Sequence, residues 1–174
     1  MINKEQLEHL ISDIEYLRYE AESLKTVIET VPYSEKPLGG ESILESLMTI
    51  NLSQCKVIEI LNEMNSKGTK VDVDNYSIFQ KEVLEEEQLQ DIKVLDLLDE
   101  IINNRITLVD YLAKKPFSFY KLDIKNNSDD VSLYQLLKEL VHKERNILKE
   151  VASLVLTYQK DRQFQREISA KKRV

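Results

Sequence analysis

The chain has 174 residues, 42% of them apolar and 32% charged, which suits one hydrophobic core and excludes a disordered class. Only three glycines and three prolines occur, too few for the turns of a many-stranded sheet. The formal net charge of −7 argues against nonspecific binding to nucleic acid or to an anionic membrane. A single cysteine, Cys55, and the lack of a signal-peptide or membrane-spanning apolar run predict a cytoplasmic protein.

The first half of the chain predicts two helices separated by a breaker-rich connection. Apolar residues at spacings of three and four predict the first helix over residues 4 to about 31, ended by Pro32. Residues 31–40 contain two prolines and two glycines, the strongest breaker cluster in the chain. The second helix is predicted from near Ser42 to about Met64, and a loop over residues 69–77 follows.

The second half predicts two further helices. The third helical region runs from about Ile78 to Ala113, after which Pro116 marks a break. The aromatic segment 117–123 is expected to be a short extended piece packed over an end of the helices, and residues 126–130 form a turn. Ser132 can cap the fourth helix, which reaches about Ile168.

Four helices with one apolar stripe each bury these stripes together in a four-helix bundle, so the predicted fold class is all-α. The connection between the second and third helices is long. Residues 1–168 are expected to form this single domain, and residues 169–174 a frayed basic tail.

The second helix carries a row of small hydroxyl side chains at spacings of four, three and four: Ser42, Ser46, Thr49 and Ser53. This strip lies along the edge of the apolar face. Two interpretations are open at this point. The hydroxyls allow close helix packing and bond to backbone carbonyls one turn back, or they line a polar pocket.

Two segments resemble the DinB-like (YfiT-like) superfamily of four-helix bundles. Pro37, the glycine pair and the run SILESL at residues 42–47 are similar to the start of that family's second helix. Residues 132–145, SLYQLLKELVHKER, are similar to its fourth helix. The resemblance implies a homodimer and a divalent metal, often nickel or zinc, held by three histidines from the second and fourth helices.

This sequence departs from that family pattern at each of the three ligand positions. Thr49 stands where the histidine of the second helix is expected. On the fourth helix, the register that keeps the apolar phase puts Lys143 and Ile147 at the ligand positions and turns His142 outward. We therefore expect a degenerate metal site and no cofactor. In a register shifted by one residue, His142 is the only surviving ligand, and nickel or zinc remains the alternative.

Glu144 falls near the centre of the apolar face of the fourth helix in the preferred register. A buried carboxylate needs a partner, which Arg18 on the first helix or Arg105 on the third could supply as a structural ion pair. A catalytic acid is the other interpretation. The candidate pocket therefore consists of Ser46, Thr49, Ser53, Lys143, Glu144 and Ile147.

Two functions fit these observations. The first is a helical bundle that binds a small molecule or a partner protein, without nucleic-acid or membrane partners. The second, implied by the resemblance, is a metal- or thiol-dependent transferase or hydrolase with altered ligands. Metal content discriminates between them, because stoichiometric nickel or zinc contradicts the first.

Overall fold

The computed structural model describes residues 3–67, 71, 78, 91–126 and 129–171. Four α-helices account for most of this part of the chain: α1 Lys4–Lys25, α2 Ile43–Lys67, α3 Val94–Ala113 and α4 Leu133–Lys171. A two-stranded antiparallel hairpin, β1 Asp123–Asn126 and β2 Asp129–Ser132, precedes α4. The predicted all-α four-helix bundle is confirmed, and the hairpin is a minor addition that the sequence analysis missed.

The helices do not pack in chain order. Both α1 and α2 contact α3 and α4, so the order around the bundle is α1, α3, α2, α4. Paired residue numbers rise together between α2 and α3, where Asn51 bonds to Glu100 and Tyr111 to the Leu61 carbonyl. They also rise together along α4, where Arg145 meets Asp13 and Arg162 meets Thr30. The parallel neighbours are therefore α2 with α3 and α1 with α4.

Between α2 and α4 the paired numbers run in opposite senses, since Ser53 lines a cavity with Leu140 and Ser46 lines one with Ser153, so the chain direction through the bundle is up, down, down, up. A parallel pair of consecutive helices requires a long connection, and 26 residues separate Lys67 from Val94. The expected long connection between the second and third helices is confirmed. Most of the residues of the predicted loop 69–77, and residues 79–90 of the predicted third helical region, lie outside the described residues. Ile78 and residues 91–93 are described and are not helical, so the prediction is wrong there: Lys93 has an extended backbone and α3 begins at Val94.

The first helix ends earlier than predicted, at Lys25. A 3-10 turn, Ile28–Thr30, follows, and both Ile28 and Val31 are buried in the same core as α1. The apolar periodicity correctly predicted that Ile28 and Val31 are buried. It did not predict that the backbone there forms a tighter 3-10 turn, whose hydrogen bonds differ from those of an α-helix. The second helix extends one turn beyond the predicted Met64.

The connection from α1 to α2 ends in a tight turn and a helix cap. Gly40 N–H donates to the Pro37 carbonyl at 3.0 Å, and Gly39 between them has φ of 74°, which favours glycine. Ser42 then caps α2: its Oγ accepts from Glu45 N–H at 3.1 Å, while Glu45 Oε2 accepts from Ser42 N–H at 2.9 Å. The run Ser-x-x-Glu is therefore a capping box that fixes where α2 begins.

The aromatic segment before α4 differs from the prediction. Phe117–Lys121 forms a 3-10 helix and is not extended. Its Tyr120 is buried, and the Tyr120 hydroxyl donates to the Leu112 carbonyl at the end of α3. A helical turn puts this ring over the bundle end and satisfies the local backbone. The extended backbone begins two residues later, in β1.

The fourth helix begins as predicted. Gln135 N–H donates to Ser132 Oγ at 3.3 Å, and Gln135 Oε1 accepts from Ser132 N–H at 2.8 Å, a second reciprocal cap. The helix continues to Lys171, so residues 169–171 of the predicted tail are helical. Residues 172–174 lie outside the described residues. None of the described helices is both long and apolar enough to cross a membrane.

Candidate functional site

The orientation of α4 is set by its buried face, which includes Glu144 at 1% exposure. His142 is exposed, and its Nε2 lies 3.2 Å from Asn146 Nδ2, also on the outer side. This is the orientation that the apolar periodicity predicts. His142 therefore does not face the bundle interior, and the shifted register is not the one the structure adopts.

A cavity of about 300 Å³ lies between α2 and α4. It contains five of the six predicted pocket residues, and the complete lining is Thr49, Ser53, Leu140, Lys143, Glu144, Asn146, Ile147 and Glu150. We call it the α2–α4 groove. The sixth predicted residue, Ser46, lines a neighbouring cavity of about 620 Å³ with Pro37, Gly39 and Ser153. Glu150 borders both cavities, so the two spaces adjoin.

Glu144 finds its partner in Arg105, the second of the two arginines considered from sequence. Arg105 Nη2 contacts Glu144 Oε2, and both side chains are 1% exposed. Because α3 and α4 are diagonal to each other, this ion pair crosses the centre of the bundle. The other candidate, Arg18, lies 3.5 Å from Glu22 through its Nε and stacks over the Tyr19 ring.

The pair is not fully satisfied. Arg105 Nη1 and Glu144 Oε1 are buried and have no hydrogen-bond partner among the described residues. Burial lowers the pKa of Arg105 to about 9, against an opposing effect of the Glu20 carboxylate. Arg105 therefore keeps its positive charge at neutral pH.

Gln54 is a further buried polar residue, and the sequence analysis missed it. It is 0% exposed, and both its amide oxygen and its amide nitrogen lack a hydrogen-bond partner among the described residues. Ser53 lines the groove with Glu144, and Cys55 Sγ lies 3.5 Å from Asn104 Nδ2. These neighbours place Gln54 at the level of the ion pair. The sequence does indicate this burial, because Gln54 follows Ile50 by four residues and so lies on the apolar stripe of α2.

The hydroxyl side chains of α2 have both of the roles considered from sequence: they bond to backbone carbonyls one turn back, and they line a pocket. Thr49 Oγ1 donates to the Glu45 carbonyl at 3.1 Å, and Ser53 Oγ lies 2.8 Å from the carbonyls of Thr49 and Ile78. The hydroxyls therefore bond one turn back, as close packing predicts. The same two side chains also line the groove.

The groove residues do not fit a divalent metal ion. At the three positions where the resemblance implies metal-binding histidines, this chain has Thr49, Ile147 and Lys143, and Lys143 Nζ lies 3.1 Å from Glu139 Oε1. The buried carboxylate of Glu144 is already in contact with Arg105. Within the described ranges, no three His, Cys, Asp or Glu side chains lie close enough together to hold a metal. Threonine and isoleucine are poor ligands for nickel or zinc.

Comparison with known proteins identifies the architecture. No protein-family model matches the sequence, and no curated protein is significantly similar to it. The structure is similar to that of YfiT from Bacillus subtilis, with a TM-score of 0.69, 12% identity and 88% of each chain covered. The chain has a YfiT-like fold. YfiT is described as a probable metal-dependent hydrolase with an unusual four-helix bundle topology.

Proposed function

We propose that this YfiT-like bundle binds a small molecule in the α2–α4 groove without a metal ion. The observation that supports the proposal is the buried carboxylate of Glu144, which borders the groove and whose Oε1 has no hydrogen-bond partner in the part of the chain that the structure describes. A buried acceptor without a partner costs free energy, and a ligand that donates a hydrogen bond recovers it. Pockets with a mostly preformed wall and few polar groups are typical small-molecule sites.

The groove has walls suited to such a ligand. Leu140 and Ile147 contribute apolar surface, and Thr49 and Ser53 contribute oxygen atoms held in place by helix carbonyls. These side chains project from two helices that also carry the core, so the site is held by rigid elements. A rigid site loses little conformational freedom on binding.

The first experiment tests the absence of metal in the proposal. Untagged protein is purified without chelators and analysed for nickel and zinc, and its melting temperature is measured with and without each ion. We expect substoichiometric metal and an unchanged melting temperature. Stoichiometric nickel or zinc contradicts the proposal and favours the alternative, a metal- or thiol-dependent transferase or hydrolase with altered ligands.

The second experiment locates the binding site. A small-molecule fragment library is screened by ¹H–¹⁵N NMR of the full chain and of two variants that each introduce one phenylalanine on α4. Ile147→Phe narrows the α2–α4 groove, whereas Ala152→Phe, the larger increase in side-chain volume, lies in a separate groove between α1 and α4. We expect hits whose binding is lost only in Ile147→Phe. Hits that survive in Ile147→Phe, or a screen without groove hits, contradict the proposal.

The homodimer and the cytoplasmic location expected from sequence stay predictions. Size-exclusion chromatography with light scattering tests the first, and fractionation of the source cells tests the second.

A further inference from the structure

The polar groups around the α2–α4 groove are mostly acceptors, and the reason is visible in their hydrogen bonds. Thr49 has one hydroxyl hydrogen, and it is donated to the Glu45 carbonyl. Ser53 also has one, directed to the Thr49 or the Ile78 carbonyl. With their hydrogens used, both hydroxyls offer only lone pairs to a molecule in the groove.

The carboxylates add further acceptors. Arg105 reaches Glu144 from α3 through Oε2, which leaves Oε1 buried and without a partner among the described residues. Glu150 is exposed and stands at the border with the neighbouring cavity. An ionised carboxylate is an acceptor only, so these two side chains present no donor.

The two donor side chains in the lining, Lys143 and Asn146, already contact other side chains of α4. Lys143 Nζ lies 3.1 Å from Glu139 Oε1, one turn back on the exposed side of α4. Asn146 Nδ2 lies 3.2 Å from His142 Nε2. Among the described residues, the charged side chains that line the groove are Glu144, Glu150 and Lys143, and Arg105 contacts Glu144 from α3. The lining itself therefore combines excess acceptors with two carboxylates against one cation, Lys143.

We propose that the ligand of this groove is a small organic ammonium ion with a short apolar body. This inference rests on the proposed function and specifies its ligand class. The ammonium group has three donors and no acceptor, which complements Glu144 Oε1 and the hydroxyl oxygens of Thr49 and Ser53. The apolar body fits against Leu140 and Ile147. An anionic ligand is disfavoured because it meets the carboxylates of Glu144 and Glu150 in the lining.

The test compares three probes of the same length with the full chain: hexylammonium, hexanoate and 1-hexanol. Binding is followed by ¹H–¹⁵N chemical shifts of the amides of α2 and α4 that border the groove. We expect hexylammonium to shift these amides saturably, and hexanoate to leave them unchanged at the same concentration.

A matched pair of substitutions separates the site from general effects on helices. Thr49→Val is nearly isosteric and removes one groove oxygen. Thr157→Val makes the same change on exposed α4, where Thr157 Oγ1 also donates one turn back, to the Ser153 carbonyl at 2.9 Å. We expect Thr49→Val to weaken hexylammonium binding about tenfold and Thr157→Val to leave it unchanged.

Two results overturn the inference. If hexanoate or 1-hexanol binds the groove as tightly as hexylammonium, the ligand class is wrong while small-molecule binding stands. If none of the three probes shifts the groove amides, the ammonium inference also fails. The fragment screen with Ile147→Phe and Ala152→Phe then decides separately on the proposed function.

Discussion

The buried ion pair between Arg105 and Glu144 makes the sharpest prediction about stability. Both side chains are 1% exposed, so water does not screen the charge that remains when one partner is removed. Arg105→Met or Glu144→Leu alone should therefore cost about 3–5 kcal/mol, a large part of the roughly 5–15 kcal/mol of a typical domain. The double variant removes both charges, together with Arg105 Nη1 and Glu144 Oε1, which have no hydrogen-bond partner among the described residues, and should be neutral or stabilising by about 1–4 kcal/mol.

The assay is urea unfolding of the four proteins of this double-mutant cycle, followed by far-UV circular dichroism. The exposed pair Lys4 and Glu8, whose side chains are 87% and 66% exposed, serves as a control and should give less than about 1 kcal/mol. A double variant less stable than either single variant would refute the reasoning. It would mean that the two residues stabilise the core by packing and not through their charges.

Three further predictions concern the helix ends. Ser42→Ala removes the cap of α2 and should cost about 1 kcal/mol in urea unfolding. Burial raises the pKa of Glu45, but hydrogen bonds from Lys36 and Ser42 more than offset this effect and leave the pKa below its usual value of 4.5. The contribution of the Glu45 carboxylate to stability is therefore present above pH 4.5 and is lost on acidification. The difference in unfolding free energy between wild type and Glu45→Gln should shrink from about pH 6 to pH 3; a constant difference contradicts this. Burial raises the pKa of the Tyr120 hydroxyl from 10 to about 12. The contribution of this hydroxyl to stability is therefore present below pH 10 and is lost between pH 10 and about 12. Tyr120→Phe should abolish this loss of stability at alkaline pH, and should cost about 1 kcal/mol at neutral pH because the hydrogen bond to the Leu112 carbonyl is removed.

The parts of the fold that could be predicted from sequence are those with a local signal. The reciprocal caps at Ser42 and Ser132 depend on residues three apart, and the four apolar stripes repeat within each helix. The parallel pairing of α2 with α3 has no such signal, because it depends on which distant stripes meet. The hairpin before α4 was missed for a related reason, since strands of four residues are too short for alternation to be distinctive.

The candidate site was also predictable only where the signal is local. The periodicity of α4 placed Glu144 inside and His142 outside, and the family resemblance pointed to Thr49. The choice of Arg105 over Arg18 required the bundle order, which puts α3 diagonal to α4. Ser46 was predicted for the same pocket, but the α2 strip runs along two adjoining cavities, and Ser46 belongs to the second. Helical phase gives the face of a residue but not the boundaries between cavities on that face.

The parallel contact of α1 with α4 has a consequence for the order of events during synthesis. Asp13 and Arg145 are 132 positions apart, as are Thr30 and Arg162, so the side of the bundle between α1 and α4 closes only after α4 has been translated. Until then the apolar stripe of α1, including Ile14 and Leu17, lacks one of its two neighbours. A nascent chain that ends before residue 133 should therefore expose apolar surface on α1 and be a substrate for chaperones. In a bundle built of consecutive antiparallel helices, by contrast, the core can begin to form with the first helical hairpin.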